Sequence, residues 1–182
     1  GISIIEYNYL NLPSKVKKNG IDSILFIYDA MGMKLKKIST NDGTPIARYY
    51  AGAFEYNDEV NGLDLIHTEE GVVNVSYSGG YNFVYEYFLK DHLGNTRVTF
   101  KPNGSSLDTL QKVSYYPFGM IASINFYGLN NKYLYNGKEL QDDLIDSNKL
   151  DWYDYGARFY DAQIGRWTTI DPSAEEMKDM SP

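Results

Sequence analysis

The chain is 182 residues long, carries a formal net charge of -7 and contains no cysteine. That length suits one ordinary domain, and the acidic balance argues against nucleic acid as the main partner, because phosphate binding needs a clustered positive field. Without cysteine there can be no disulfide, thiolate metal site or cysteine nucleophile. The 18 tyrosines, 8 phenylalanines and 2 tryptophans favour strands, where a ring packs on a pleated half-buried surface while a hydroxyl reaches a partner or water.

The N-terminal stretch GISIIEYNYLNLPSKVKKNG has no basic region followed by a long apolar run, and the longest apolar stretch, residues 24–28, is too short to cross a bilayer. No signal segment or membrane span is expected in the chain. Further along, period-two alternation marks strands with two unlike faces. Val73, Val75 and Tyr77 alternate with Asn74, Ser76 and Ser78. Phe83, Tyr85, Tyr87 and Leu89 share a face opposite Val84, Glu86 and Phe88, and Val98 and Phe100 alternate with Arg97, Thr99 and Lys101. Asn19-Gly20, Asp42-Gly43, Asn61-Gly62, Asn103-Gly104 and Asn136-Gly137 are turn dipeptides, since Asn, Asp and Gly tolerate positive φ. Residues 57–62 and 141–149 are the most polar and read as mobile loops. After Pro172, Ser173 and Glu176 have capping-box spacing and predict a short terminal helix.

A degenerate repeat runs through the chain: a Tyr-Asp or related pair, a glycine, then a basic and an apolar residue. YDAMGMKL, KDHLGNTRV, YDYGARF and YDAQIGRW are its copies. The physical reading is strand, tight turn, strand, with Asp bonding backbone amides at the turn and Gly supplying the permissive φ. Such units stack on one another and do not fold alone.

The ordered blocks YDAMGMKLKK, KDHLGNTRVTF, YYPFGM, YLYNGKEL and LDWYDYGARFYDAQIGRWTTIDP resemble the RHS (YD-repeat) family, and the last block resembles its repeat-associated core domain. EYNYLNLPSKV resembles one further repeat, of a type seen in versions from Bacteroides-like bacteria. The resemblance implies a β-sheet ribbon spiralling into a hollow shell that encloses a C-terminal toxic domain in large polymorphic toxins. Residues 1–130 would be repeat strands and residues 131–182 a partial core domain. In many members the core domain also cuts the chain before the toxin, by chemistry resembling that of aspartyl proteases. Carried over onto matching positions, the resemblance assigns that role to Arg158 and Asp171. A second Asp should follow in a later D-P-x-G block. The chain ends at Pro182 without one, so half of the carboxylate pair and the scissile bond are expected to be missing.

Two carboxylates sharing a proton can divide acid and base roles, whereas one Asp beside an Arg stays ionised and suits a salt bridge. A plainer reading of the same residues has Asp171 capping the helix near Ser173 and Arg158 stacking on aromatic rings. His67 and His92 lack ligand spacing, and no nucleophile motif, phosphate-binding loop, metal site or cofactor site emerges. The rings of Trp152, Tyr153, Tyr155, Phe159, Tyr160 and Trp167 read either as sheet packing or as a platform for sugar faces. A coplanar exposed row would favour the second.

The sequence thus predicts an all-β protein, an antiparallel twisted meander in a single domain with a short C-terminal helix. It reads as a shell and plug fragment, not an enzyme as the chain stands. The expected partners are the remainder of its own shell and an enclosed cargo, with self-association through open sheet edges. The parent would be secreted or at the cell surface and serve in competition between bacteria or against host cells. The alternative is a surface carbohydrate- or protein-binding β module.

Overall fold

A computed structural model describes residues 4–17, 22–127, 131–145 and 148–171. Twelve strands form one large sheet: β1 (Ile4–Tyr7), β2 (Pro13–Lys17), β3 (Ser23–Tyr28), β4 (Lys34–Asn41), β5 (Thr44–Ala51), β6 (Phe54–Asn57), β7 (Gly62–His67), β8 (Gly71–Tyr77), β9 (Tyr81–Lys90), β10 (Thr96–Asn103), β11 (Ser106–Tyr115) and β12 (Ile121–Phe126). Their order in the sheet is their order in the chain, and every neighbour is antiparallel, so the sheet is a pure meander. The all-β antiparallel expectation is met. The tail that carries the capping box and the Asn19-Gly20 turn lie outside the described residues.

The repeat is visible as a recurring five-residue loop. In residues 8–12, 29–33 and 91–95 the first residue's N–H donates to the fifth residue's carbonyl at 2.9 to 3.0 Å. Its side-chain oxygen meanwhile accepts from the N–H groups of the third and fifth residues: Asn8 from Leu10 and Leu12, Asp29 from Met31 and Met33, Asp91 from Leu93 and Asn95. The fourth residue has positive φ in each case, at Asn11, Gly32 and Gly94. One short acceptor side chain thus satisfies two amides the turn would otherwise leave bare. Residues 116–120 repeat the backbone path with Gly119 at φ +87 but begin with Tyr, which has no such acceptor.

Past β12 come a 3-10 turn (Tyr135–Gly137) and six short strands: β13 (Glu139–Gln141), β14 (Leu144–Ile145), β15 (Asn148–Lys149), β16 (Trp152–Asp154), β17 (Phe159–Asp161) and β18 (Arg166–Trp167). Four of them make a second sheet in the order β13-β16-β17-β18, and β14 pairs with β15. The polar segment 141–149, read from sequence as a mobile loop, therefore contains a hairpin, and Gln141 is fully buried.

The small sheet fixes the curvature of the large one. Successive strand residues point to opposite faces, so Trp152 and Tyr153 look in opposite directions. Trp152 and Phe159 pack with Val16, Ile24 and Phe26 of β2 and β3, while Tyr153 and Leu140 pack with Val113 of β11 and Leu134. Both faces of β13, β16 and β17 are therefore packed against distant parts of the same meander, while β18 stays exposed at the rim. The meander curls around residues 131–171 as a wall around a plug.

The inner face is not apolar throughout. Its two ends are apolar, but across β4 to β7 it carries Lys34, Lys37, Arg48, Tyr50, Glu55 and His67. On the outer face, Tyr77, Tyr81, Phe83 and Tyr85 remain between 48% and 69% exposed.

Candidate functional site

The β16-β17 turn places the residues singled out by sequence. Gly156 takes φ +85, and the Tyr155 N–H donates to the Arg158 carbonyl at 3.1 Å. Arg158 Nη2 then lies 2.7 Å from Asp171 Oδ2, and its guanidinium sits 4.4 Å from the centre of the Trp167 ring. The two charged residues thus meet, and the arginine also stacks. This pair is the only ion pair recorded between residues 155 and 171 among the described residues.

The six rings of the same block are not set in one plane. Trp152, Tyr153 and Phe159 are buried, Tyr155 and Tyr160 are half-buried, and Trp167 is exposed at the rim. Trp167 meets Tyr155 and Tyr160 edge-on, with centroids 4.9 and 5.3 Å apart. The hydroxyls of Tyr153, Tyr155 and Tyr160 donate to the Gly119 carbonyl, Asn136 Oδ1 and the Phe118 carbonyl. These rings join the plug to the loops around residues 116–120 and 135–137.

The densest polar constellation lies elsewhere, where the plug meets the polar middle of the wall. Lys36 pairs with Ile27 and Lys34 with Tyr28, so Leu35 is an extra residue in β4. That bulge turns Lys34 and Lys37 to the same inner face, which strict alternation would not do. Lys34 Nζ lies 2.6 Å from Glu139 Oε2 and 2.7 Å from Asp154 Oδ2, the three side chains being only 12%, 7% and 8% exposed. Lys37 Nζ donates to Gln141 Oε1 at 3.0 Å and Asp143 Oδ2 at 2.8 Å, and stands 3.5 Å from Glu139 Oε1. The Tyr50 hydroxyl donates to Glu139 Oε1 at 3.0 Å. Next to it, Glu55 meets Arg48 at 2.9 Å, His67 Nε2 at 2.6 Å and the Tyr133 hydroxyl in a very short contact, and Arg48 also reaches Asp64 at 2.9 Å.

Burial alone would raise the Glu139 pKa. The Lys34 and Lys37 charges, with hydrogen bonds from Lys34 and Tyr50, reverse that and hold it well below the usual carboxylate range. Burial likewise opposes the charge on Lys34, yet Glu139 and Asp154 raise its pKa above the ordinary lysine value. Glu55 is lowered overall, since hydrogen bonds from His67 and Tyr133 and the Arg48 charge outweigh burial and the Glu139 charge. Lys34 and Lys37 of the wall thus face carboxylates of the plug, while Arg48 is paired within the wall to Glu55 and Asp64, and the two lysines work as a clamp between the two parts.

Beside the clamp, the inner face of β5 to β9 and residues 131–133 enclose a cavity of about 360 Å³. Glu86 lines it, is 2% exposed, and has one carboxylate oxygen, Oε1, without a hydrogen-bond partner among the described residues. Burial pushes its pKa up to about 7, with Lys101 opposing. Among the described residues no group of three or more acidic or imidazole side chains is arranged to hold a metal ion.

Sequence reasoning singled out Arg158 and Asp171, which meet in an ion pair, and missed the clamp. Lys34 and Asp154 sit in ordinary-looking repeat copies and Lys37 and Glu139 outside them, and only the β4 bulge and the packing of the small sheet bring the four together. The signal open to inspection was KLKK itself, in which three lysines on a strand need more than one face to stay solvated.

No family model matches the chain, and no curated protein matches it. Solved structures do. The chain resembles a crystal structure of TcdB2-TccC3-TEV with a TM-score of 0.70 and 19% identity over 93% of its length. A crystal structure of TcdB2-TccC3 without its hypervariable C-terminal region gives 0.66 and 20%, and a Tc holotoxin pore of Photorhabdus luminescens gives 0.64 and 17%, again over 93%. In each case the match covers 9% of the other chain. At this identity the likeness establishes a shared fold.

Proposed function

We propose that the chain is a wall-and-plug segment of an RHS-type shell, part of a large secreted or cell-surface toxin protein that encloses a C-terminal toxic domain until delivery against competing bacteria or host cells. The observation that carries this reading is that β13, β16 and β17 of the small sheet pack on both faces against opposite ends of the twelve-stranded meander. The ordered repeat blocks, the recurring loop and the fold shared with TcdB2-TccC3 chains support it. The partners are then the rest of the shell and the enclosed cargo.

In this reading the segment does not cut the chain by itself. Arg158 and Asp171 supply one half of an aspartyl-type cutting site, and a later carboxylate of the parent protein supplies the other, so that two acids can share a proton. In the parent protein, Asp171→Asn should leave the C-terminal domain attached; release at the normal rate contradicts the catalytic assignment. Protease treatment tests the shell separately. The enclosed domain should survive while the shell is intact, and digestion as fast as that of the free domain contradicts enclosure.

The outer row of Tyr77, Tyr81, Phe83 and Tyr85 favours a second reading, a surface that binds carbohydrate or protein. Neighbouring rings stand 5.4 and 6.2 Å apart and are exposed, but Tyr77 and Tyr81 meet edge-on at 71°, so the row is not coplanar and its exposure alone speaks for this reading. A glycan-array ligand lost on Tyr81→Ala or Tyr85→Ala supports it, and an empty array counts against the carbohydrate form.

A further inference from the structure

The centre of the clamp holds the parts of a condensation site. Lys34 carries a primary amine, Asp154 an acyl carbon, and Glu139 a second carboxylate that touches the same amine. The amine nitrogen is 2.7 Å from Asp154 Oδ2 and 2.6 Å from Glu139 Oε2. The other oxygen of Asp154, Oδ1, accepts the Gly156 N–H at 2.7 Å. Glu139 is itself fixed by the Tyr50 hydroxyl and by Lys37. Little water reaches any of the three side chains. We infer that Lys34 and Asp154 join through a side-chain amide, a covalent staple between wall strand β4 and plug strand β16.

The atoms balance without a co-reactant. One ammonium proton passes from Lys34 to Asp154 Oδ2, against the ion pairing that favours the charged forms, leaving a free amine and a neutral acid as the minor, reactive state. The nitrogen lone pair forms the bond to the Asp154 carboxyl carbon, and negative charge collects on Oδ1, where the Gly156 N–H already points. Glu139 takes the second proton from nitrogen and hands it to Oδ2, whose bond to carbon breaks as water leaves. The carbonyl re-forms on Oδ1, Glu139 returns to its carboxylate, and the third proton stays on the amide nitrogen. No oxidant or activated group is consumed, and the net charge of the cluster is unchanged.

Holding amine and acid in contact gives the reaction a high effective concentration, and the low exposure of the three side chains limits the water that would reverse it. The link spans 120 positions of sequence. In a chain without cysteine it does what a long-range disulfide does elsewhere, restricting the unfolded chain and keeping the plug seated. The inference rests on this geometry and stands whether or not the shell reading does.

Intact mass spectrometry of the folded wild-type chain, followed by peptide mapping, tests it. The expected mass is that of the sequence less one water, with a branched peptide joining the segments around Lys34 and Asp154. Lys34→Arg, which keeps the charge but cannot form this amide, should restore the full sequence mass, as should Glu139→Gln. A wild-type chain at full sequence mass overturns the proposal, even if the variants fail to fold. Loss of water without the branched peptide, as from a cyclised aspartate, overturns it equally. Undiminished linkage in Glu139→Gln overturns the relay assigned to Glu139.

Discussion

At the scale of single residues, the buried acids set how stability responds to pH, and they act in opposite directions. Glu86 has its pKa raised by burial from 4.5 to about 7. Within that window the unfolded chain releases the proton while the folded chain keeps it, so stability falls as pH rises and levels off above the window. Glu86→Gln removes that loss. Its unfolding free energy at about pH 8 should exceed that of the wild type by on the order of 2 kcal/mol, discounted for the cavity beside it, and the gain should vanish near pH 4. Denaturant titrations across that range check it, and a gain independent of pH contradicts the assignment. Glu139 and Glu55, held below 4.5 when folded, contribute fully above that value and lose their contribution as pH falls beneath it. Removing one partner of a buried ion cluster leaves the others uncompensated, so Lys37→Ala, which strands Asp143 and takes one of two cations from Glu139, should cost roughly 3 to 5 kcal/mol by the same titration.

At the scale of elements, the five-residue loop explains why two glycines that look alike in sequence should differ under substitution. Gly94 has φ +81 and open space where a Cβ would stand, whereas a Cβ on Gly119, at φ +87, would lie 2.5 Å from the Tyr135 ring. Gly94→Ala should cost about 1 to 2 kcal/mol for the left-handed backbone alone. Gly119→Ala adds a clash that displaces Tyr135 from its contacts with Tyr153 and Tyr160, and should cost clearly more by thermal unfolding; equal losses contradict the packing described. These loops and the alternating strands were legible because each depends on local chemistry: an Asx acceptor, a positive φ, a period of two. The clamp was not, because the Leu35 bulge shifts the period inside β4 and because Glu139 and Asp154 reach Lys34 only once the sheet has curled. Arg158 and Asp171 were found through the family resemblance, and their contact follows from the tight β16-β17 turn.

At the scale of the whole molecule, wall and plug depend on each other: the meander alone would expose Lys34, Lys37 and Glu55 beside apolar ends, and the small sheet alone would expose both faces. The chain should therefore unfold as one unit. β1 and β12 are the end strands of the large sheet, and they carry Ile4, Tyr7 and Phe126 at 40% to 48% exposure. Edges of that kind recruit other strands, so sedimentation should show association rising with concentration, and Phe126→Lys should reduce it. Hydrogen exchange on the folded chain tests the central claim, that the meander packs around β13, β16 and β17, most directly. The account predicts that hydrogen-bonded amides in Trp152–Asp154 and Phe159–Asp161 exchange as slowly as those of β3 and β11, through the same global opening. Fast, independent exchange of β16 and β17 while the meander stays protected would contradict it.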